Sequence, residues 1–172
     1  MKRSRLFATL ALAGAIAAAL LAPASALADP AMIYVTRHAE KAAEGKDPNL
    51  TPQGQARARA LAVILKKVGI KHIFSTATMR TQQTAQALAQ QAGLAVQTYD
   101  PAKPTIVTDK IKALAGPTLL VGHSNTVPDL VKLLGGAPGA PIADDEYDRL
   151  YQLIIAPDGS VTTVLLTTIP AP

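Results

Sequence analysis

Two histidines and two arginines, far apart along the chain, each stand just past a short apolar run. Ile33-Tyr34-Val35-Thr36 leads into Arg37 and His38, and Thr118-Leu119-Leu120-Val121-Gly122 leads into His123. Between them, Phe74-Ser75-Thr76-Ala77-Thr78-Met79 leads into Arg80. A neutral imidazole is a competent nucleophile near neutral pH, and dividing a displacement into two steps through a covalent intermediate lowers each barrier. Arginines stay charged and grip oxyanions through parallel N–H bonds. Phosphoryl transfer is catalysed chiefly by positioning and by stabilising charge on the transferring oxygens. Taken singly each residue is ambiguous, since a histidine at a strand end or an arginine at a helix start has ordinary structural uses. Taken together, the four suit a tetrahedral phosphoryl group. No carboxylate cluster suited to magnesium accompanies them and the three histidines lack zinc-site spacing, so the expected chemistry needs no metal or cofactor.

For these residues to meet, the apolar runs must be neighbouring strands whose carboxyl ends face the same way. In open α/β sheets ligands bind in the crevice beyond those ends. The chain reads accordingly. Met32 to Thr36 is a strand buried on both faces, and residues 39–50, with Gly45, Pro48 and Asn49, form a loop over its end. Thr51 caps a helix with Pro52 at its first position, and Gly69 stops it. Its apolar face carries Ala56, Ala60, Leu61, Ile64, Leu65 and Val68, with Arg57, Arg59, Lys66 and Lys67 elsewhere. Ile70 to Ser75 is a strand, Thr78 to Ala92 a helix, Leu94 to Tyr99 a short strand and Thr105 to Leu114 a helix. Thr118 to Val121 is the next strand, followed by a helix from Thr126 or Val127 to Leu134. Leu150 to Ala156 and Val161 to Ile169 alternate as strands around the Pro157-Asp158-Gly159-Ser160 turn. The expected fold is α/β, a three-layer sandwich: a mostly parallel central sheet, helices on both faces and a C-terminal antiparallel hairpin.

The first 28 residues stand apart. Lys2, Arg3 and Arg5 precede an apolar, alanine-rich run from Leu6 to Leu21, and Pro23-Ala24-Ser25-Ala26-Leu27-Ala28 supplies small residues at the spacing of a signal-peptidase site. The expectation is a signal peptide over 1–28, cleaved after Ala28, and one domain over 29–172 in a periplasmic or secreted protein. No membrane span is expected to survive cleavage. Removing the leader takes away three of 17 basic residues and none of 12 acidic ones, so the formal charge falls from +5 to 14 − 12, or +2. With no lysine/arginine block and only 3% aromatics for stacking, nucleic acid is not an expected partner. The absence of cysteine excludes a disulfide.

Four segments carry a resemblance. Arg37-His38-Ala39-Glu40 is similar to the Arg-His-Gly signature of the histidine phosphatase superfamily, the phosphoglycerate-mutase-like fold. Leu50-Thr51-Pro52-Gln53-Gly54-Gln55-Ala56 resembles its Leu-Thr-x-x-Gly stretch, and Ser75 to Ala85 its Ser-x-x-x-Arg-x-x-x-Thr-Ala segment. Val121-Gly122-His123-Ser124 resembles its second-histidine motif. The matches keep the family's order from Ile33 to about Leu134. The resemblance implies that His38 is the nucleophile, forming a phosphohistidine, and that Arg37, Arg80 and His123 bind the equatorial oxygens. In much of the family an acidic residue after the third strand protonates the leaving group. Asp100 is its nearest counterpart here, with the start of a turn as its equal alternative. Glu40 is a second candidate acid, more simply read as ordering its loop. Asn125 either orients His123 or touches the leaving group, or else caps the helix. Ala39 departs from the family's glycine, and Lys41 stands where many relatives carry Ser or Thr, at the pocket rim or in solvent. His72 is read as structural, and residues 144–148 as a solvated acidic loop, with a place at the site entrance as its alternative. The implied activity is phosphomonoester hydrolysis of a small phosphorylated substrate. The alternatives are a phosphohistidine phosphatase or mutase of the same fold, and a non-catalytic phosphate-binding protein.

Overall fold

The computed structural model describes residues 31–169. The expected leader and its cleavage point lie outside them. Six strands form one sheet: β1 (Ala31–Arg37), β2 (His72–Ser75), β3 (Val96–Thr98), β4 (Thr118–Gly122), β5 (Arg149–Ile155) and β6 (Val161–Thr167). Their order is β3-β2-β4-β1-β5-β6. The first four run parallel; β5 joins β1 antiparallel and β6 completes a hairpin at the edge. The expected mostly parallel sheet with a late antiparallel pair is the observed one.

Strand pleating sends alternate residues to opposite faces, and both faces are apolar because both are covered. On one side Tyr34, Ile73, Leu119, Val121 and Leu150 meet α1 (Pro52–Leu65) and α2 (Met79–Ala92) through Leu61, Leu65, Ala85 and Leu88. On the other, Val35, Phe74, Leu120 and Leu153 meet α3 (Pro104–Lys112) and α4 (Val127–Leu133) through Val107, Ile111, Leu130 and Val131. The chain therefore leaves β1 toward one face and the neighbouring β4 toward the other. That divergence opens a crevice between their carboxyl ends, the switch point at which α/β sheets bind ligands.

The helix boundaries follow their local chemistry. Thr51 Oγ1 accepts from the Gly54 N–H and Pro52 occupies the first turn. The last residues before Gly69 tighten into a 3₁₀ turn, Lys66–Val68, and Gly69 takes the left-handed conformation at φ 73°. Arg57 departs from the sequence reading, which put it off the helix's apolar face. It is only 9% exposed, with Nη2 2.6 Å from Glu40 Oε1 and Nη1 2.5 Å from the Thr168 carbonyl. A buried guanidinium is tolerated because a carboxylate and a carbonyl, both remote in sequence, converge on it.

Candidate active site

Strand register brings the histidines together. Arg37 pairs with Gly122 across β1 and β4, so His38 and His123 leave adjacent parallel strands at the same level. The His38 N–H donates to the Gly122 carbonyl at 2.9 Å, and the two rings lie 5.4 Å apart, edge to face. On the far side of β4, Ser75 pairs with Val121, which sets Thr76 and the start of α2, with Arg80 in its first turn, beside them. Arg37, His38, Arg80 and His123 line a single cavity of about 400 Å³.

His38 is 3% exposed, and its Nδ1 lies 2.8 Å from the Ala39 carbonyl. A carbonyl only accepts, so Nδ1 carries the proton and Nε2 keeps the lone pair. Burial, helped by the charges of Arg37, His123 and Arg80, pushes its pKa down to about 4 against the opposing pull of the Ala39 carbonyl. The ring is thus neutral at physiological pH with its lone pair on Nε2. Ala39, in the place of the family's glycine, is 1% exposed and donates its N–H to Thr84 Oγ1 at 3.0 Å. No non-glycine residue among those described has positive φ, so this backbone does not require glycine. Gly54 is different. A Cβ there would stand 2.1 Å from the Glu40 carbonyl oxygen, so the first turn of α1 can approach the loop after His38 only with glycine at this position.

The arginines are held at one end and unsatisfied at the other. Arg37 Nη1 donates to the carbonyls of Ala143 and Glu146, both at 2.8 Å, and its guanidinium carbon lies 4.1 Å from the centre of the Tyr147 ring. Arg80 Nη1 reaches Asp47 Oδ1 at a long 3.5 Å. In both residues Nε is buried without a hydrogen-bond partner. Each such orphan donor costs on the order of 1–3 kcal/mol, a penalty that an oxyanion in the shared cavity would relieve.

A hydroxyl chain holds His123. Thr81 Oγ1 lies 2.8 Å from the Thr78 carbonyl and donates there, leaving it to accept from the hydroxyls of Thr76 and Thr78, at 2.8 and 2.9 Å. With its hydrogen committed to Thr81, Thr76 Oγ1 accepts from His123 Nε2 at 3.0 Å. Burial, with Arg80 and Arg37, lowers the His123 pKa to about 4. An anion beside it would oppose those causes, and an imidazolium, donating from both nitrogens, can hold Thr76 and a phosphoryl oxygen at once.

The other expected residues divide. Lys41 and Asn125 line the cavity. Thr126, not Asn125, holds the N-cap position of α4, without a side-chain cap; its Oγ1 accepts instead from the His123 N–H at 2.9 Å. Glu40 is held by Arg57, the loop-ordering role. Asp100 does not line this cavity: it is exposed, its Oδ1 accepts from the Ala102 N–H at 2.9 Å, and it borders a different hollow with Lys103 and Ile106. Of its two sequence roles, the structure supplies the turn. His72 bonds to the Ala115 carbonyl, away from the cavity. The acidic loop takes the second of its two readings, a place at the site, with Asp144 and Asp145 still exposed. Residues 143–147 form a wall of the site, seated on Arg37, with the Tyr147 ring 6.0 Å from His38 and Asp144 in the cavity lining. Sequence reading also passed over Asp47, which accepts from the Met79 N–H and so caps α2 from the loop after β1. The Thr76-Thr78-Thr81 spacing at a strand exit was the available signal for the hydroxyl chain, and a tyrosine in an aromatic-poor chain the signal for Tyr147. No group of three or more His, Asp or Glu side chains is placed to hold a metal among the described residues.

Residues 33–101 match the family model of the histidine phosphatase superfamily (branch 1). A protein described as "Probable phosphoglycerate mutase GpmB" from Escherichia coli O1:K1 is 37% identical over 68 residues, which are 36% of this chain and 32% of that protein. The aligned stretch thus spans about a third of the curated relatives it matches. The structure of the protein histidine phosphatase SixA complexed with tungstate superposes with a TM-score of 0.67 at 19% identity, over 80% of this chain and 96% of that one. Mycobacterial glucosyl-3-phosphoglycerate phosphatase superposes at 0.63 with 16% identity, over 81% and 99%. At those identities the likeness speaks to fold. The family-model match runs through the first histidine over 69 of the 172 residues, and the fold of the described residues is the one these solved structures have.

Proposed function

We propose that this protein is a phosphatase that hydrolyses phosphomonoesters through a phosphohistidine on Nε2 of His38. The observation that carries the reading is the pair of buried, unpartnered Nε donors on Arg37 and Arg80, in a cavity shared with a neutral imidazole whose proton is fixed on Nδ1. A phosphoryl dianion satisfies the arginines and presents phosphorus to the free nitrogen. Nε2 attacks, the P–O ester bond breaks, and water later cleaves the P–N bond to release phosphate. Arg37, Arg80 and His123 hold the equatorial oxygens in both steps, worth several powers of ten in rate through positioning and charge stabilisation. Asn125 and Lys41 contact the substrate at the rim. The non-catalytic alternative leaves the His38 tautomer and its lowered basicity without a use.

Purified protein lacking residues 1–28 should release p-nitrophenol from p-nitrophenyl phosphate. A His38→Ala variant should lose at least about 10³-fold in kcat while keeping its circular dichroism spectrum. Unchanged turnover by that variant would sink the reading. The leader supports a further part of the proposal, that the enzyme acts after export. Its removal from protein recovered in a periplasmic or culture fraction, with Asp29 as the new N-terminus, is the check.

A further inference from the structure

We infer that Asp144 is the residue that protonates the leaving group, and that the leaving alcohol lies in the hollow beside it. The inference rests on the phosphohistidine reading and deepens it. An alkoxide needs a proton as the P–O bond breaks, and that proton normally comes from a carboxyl group within reach. The other carboxylates around the site are engaged elsewhere or, like Asp145, stand outside the cavity lining. Glu40 is bound to Arg57 through both oxygens, Asp47 caps α2, Glu146 grips Arg149, and Asp100 closes its own turn outside the cavity. Asp144 is the one carboxylate lining the phosphoryl cavity, and among the described residues it takes part in no hydrogen bond or ion pair.

Its position is fixed by its neighbours. Arg37 Nη1 binds the carbonyls of Ala143 and Glu146 on either side of it, so the guanidinium that contacts the phosphoryl group also sets the carboxylate against the cavity. A second hollow, of about 360 Å³, adjoins there and shares Ser124, Asn125 and Asp144 with the first. Its remaining wall is Pro128, Gly139, Pro141 and Ile142, an apolar lining with polar groups only at the junction. That shape suits a small, partly apolar alcohol whose ester oxygen sits at the junction, beside Asp144. The Asp144 carboxyl gives its proton to the departing ester oxygen as His38 Nε2 bonds to phosphorus. The resulting carboxylate then takes a proton from the water that attacks the phosphohistidine, restoring the carboxyl group and neutral His38.

The test compares Asp144→Asn with wild type and Asp100→Asn on an alkyl ester, β-glycerol phosphate, and on p-nitrophenyl phosphate, whose leaving group needs no proton. Asp144→Asn should lower kcat on the alkyl ester by roughly 10²-fold or more. On the aryl ester it should keep a first-turnover burst of p-nitrophenol and then stall, with phosphate retained on His38. Its melting temperature should match wild type, and Asp100→Asn should behave as wild type. Equal losses of the first-turnover rate on the two esters in Asp144→Asn, no loss on either, or the aryl–alkyl split appearing in Asp100→Asn instead would overturn the assignment. A wild type that shows no burst and no phosphate on His38 would overturn the phosphatase reading itself, and the role of Asp144 with it.

Discussion

At the scale of single residues, burying two imidazoles beside two guanidinium groups carries a cost that can be measured without substrate. His38 and His123 both have pKa values near 4 in the fold, against about 6.5 in an unfolded chain. Between those values the unfolded chain binds more protons, so stability rises with pH. This contribution is complete above about pH 6.5 and is lost as pH falls toward 4. Denaturant titrations at stepped pH should show that slope, and His38→Asn should remove about half of it; a slope unaltered by the substitution would contradict the shifts. The same design predicts that tungstate or phosphate at about 100 times its Kd raises stability by about 2.7 kcal/mol, read as a thermal shift. Arg80→Ala should abolish most of the rise. Both histidines and both arginines were legible in the sequence because each stands just past a short apolar run, a local signal. The tautomer of His38 was not, since it depends on where the Ala39 carbonyl turns.

At the scale of elements, the loop after β1 and the first two turns of α1 act as one unit. Glu40 and Arg57 are nearly buried, their side chains 12% and 11% exposed, so Glu40→Gln leaves a guanidinium without its counter-charge. Such a loss costs on the order of 3 kcal/mol, which equilibrium unfolding would register. Gly54→Ala forces a methyl to within 2.1 Å of the Glu40 carbonyl oxygen and should cost on the order of 2 kcal/mol as the helix start is displaced. Because Glu40 follows His38 by two residues, activity should fall with stability in that variant. The helices themselves were readable from Thr51, Pro52, Gly69 and Gly93, whose effects are local. The burial of Arg57 was not, because its partners stand 17 residues before it and 111 after, and composition alone assigns an arginine on a helix to solvent. The third strand shrank from the expected Leu94–Tyr99 to Val96–Thr98 because it pairs with β2 alone, at the sheet edge.

At the scale of the whole molecule, the antiparallel end of the chain closes a site that the parallel part opens. The connection between α4 and β5 reads as glycine, proline and acid, the composition of a solvated loop, and only the carbonyls and Tyr147 ring that seat it on Arg37 make it a wall. Tyr147→Ala removes a cation–π contact worth about 1 kcal/mol, so KM for p-nitrophenyl phosphate should rise about fivefold, with a much smaller change in kcat. The mostly parallel sheet, by contrast, followed from the alternation of β and α segments, while the order and register of the strands, which place His38 and His123 side by side, did not. Everything proposed for this protein depends on one atom of one ring acting on phosphorus. Rapid alkaline quenching of the enzyme with p-nitrophenyl phosphate, followed by ³¹P NMR and peptide mapping, reads that atom directly. The account predicts acid-labile, base-stable phosphate on Nε2 of His38. Phosphate on Nδ1 or on another residue, or turnover that proceeds with no phosphoenzyme at all, would contradict it.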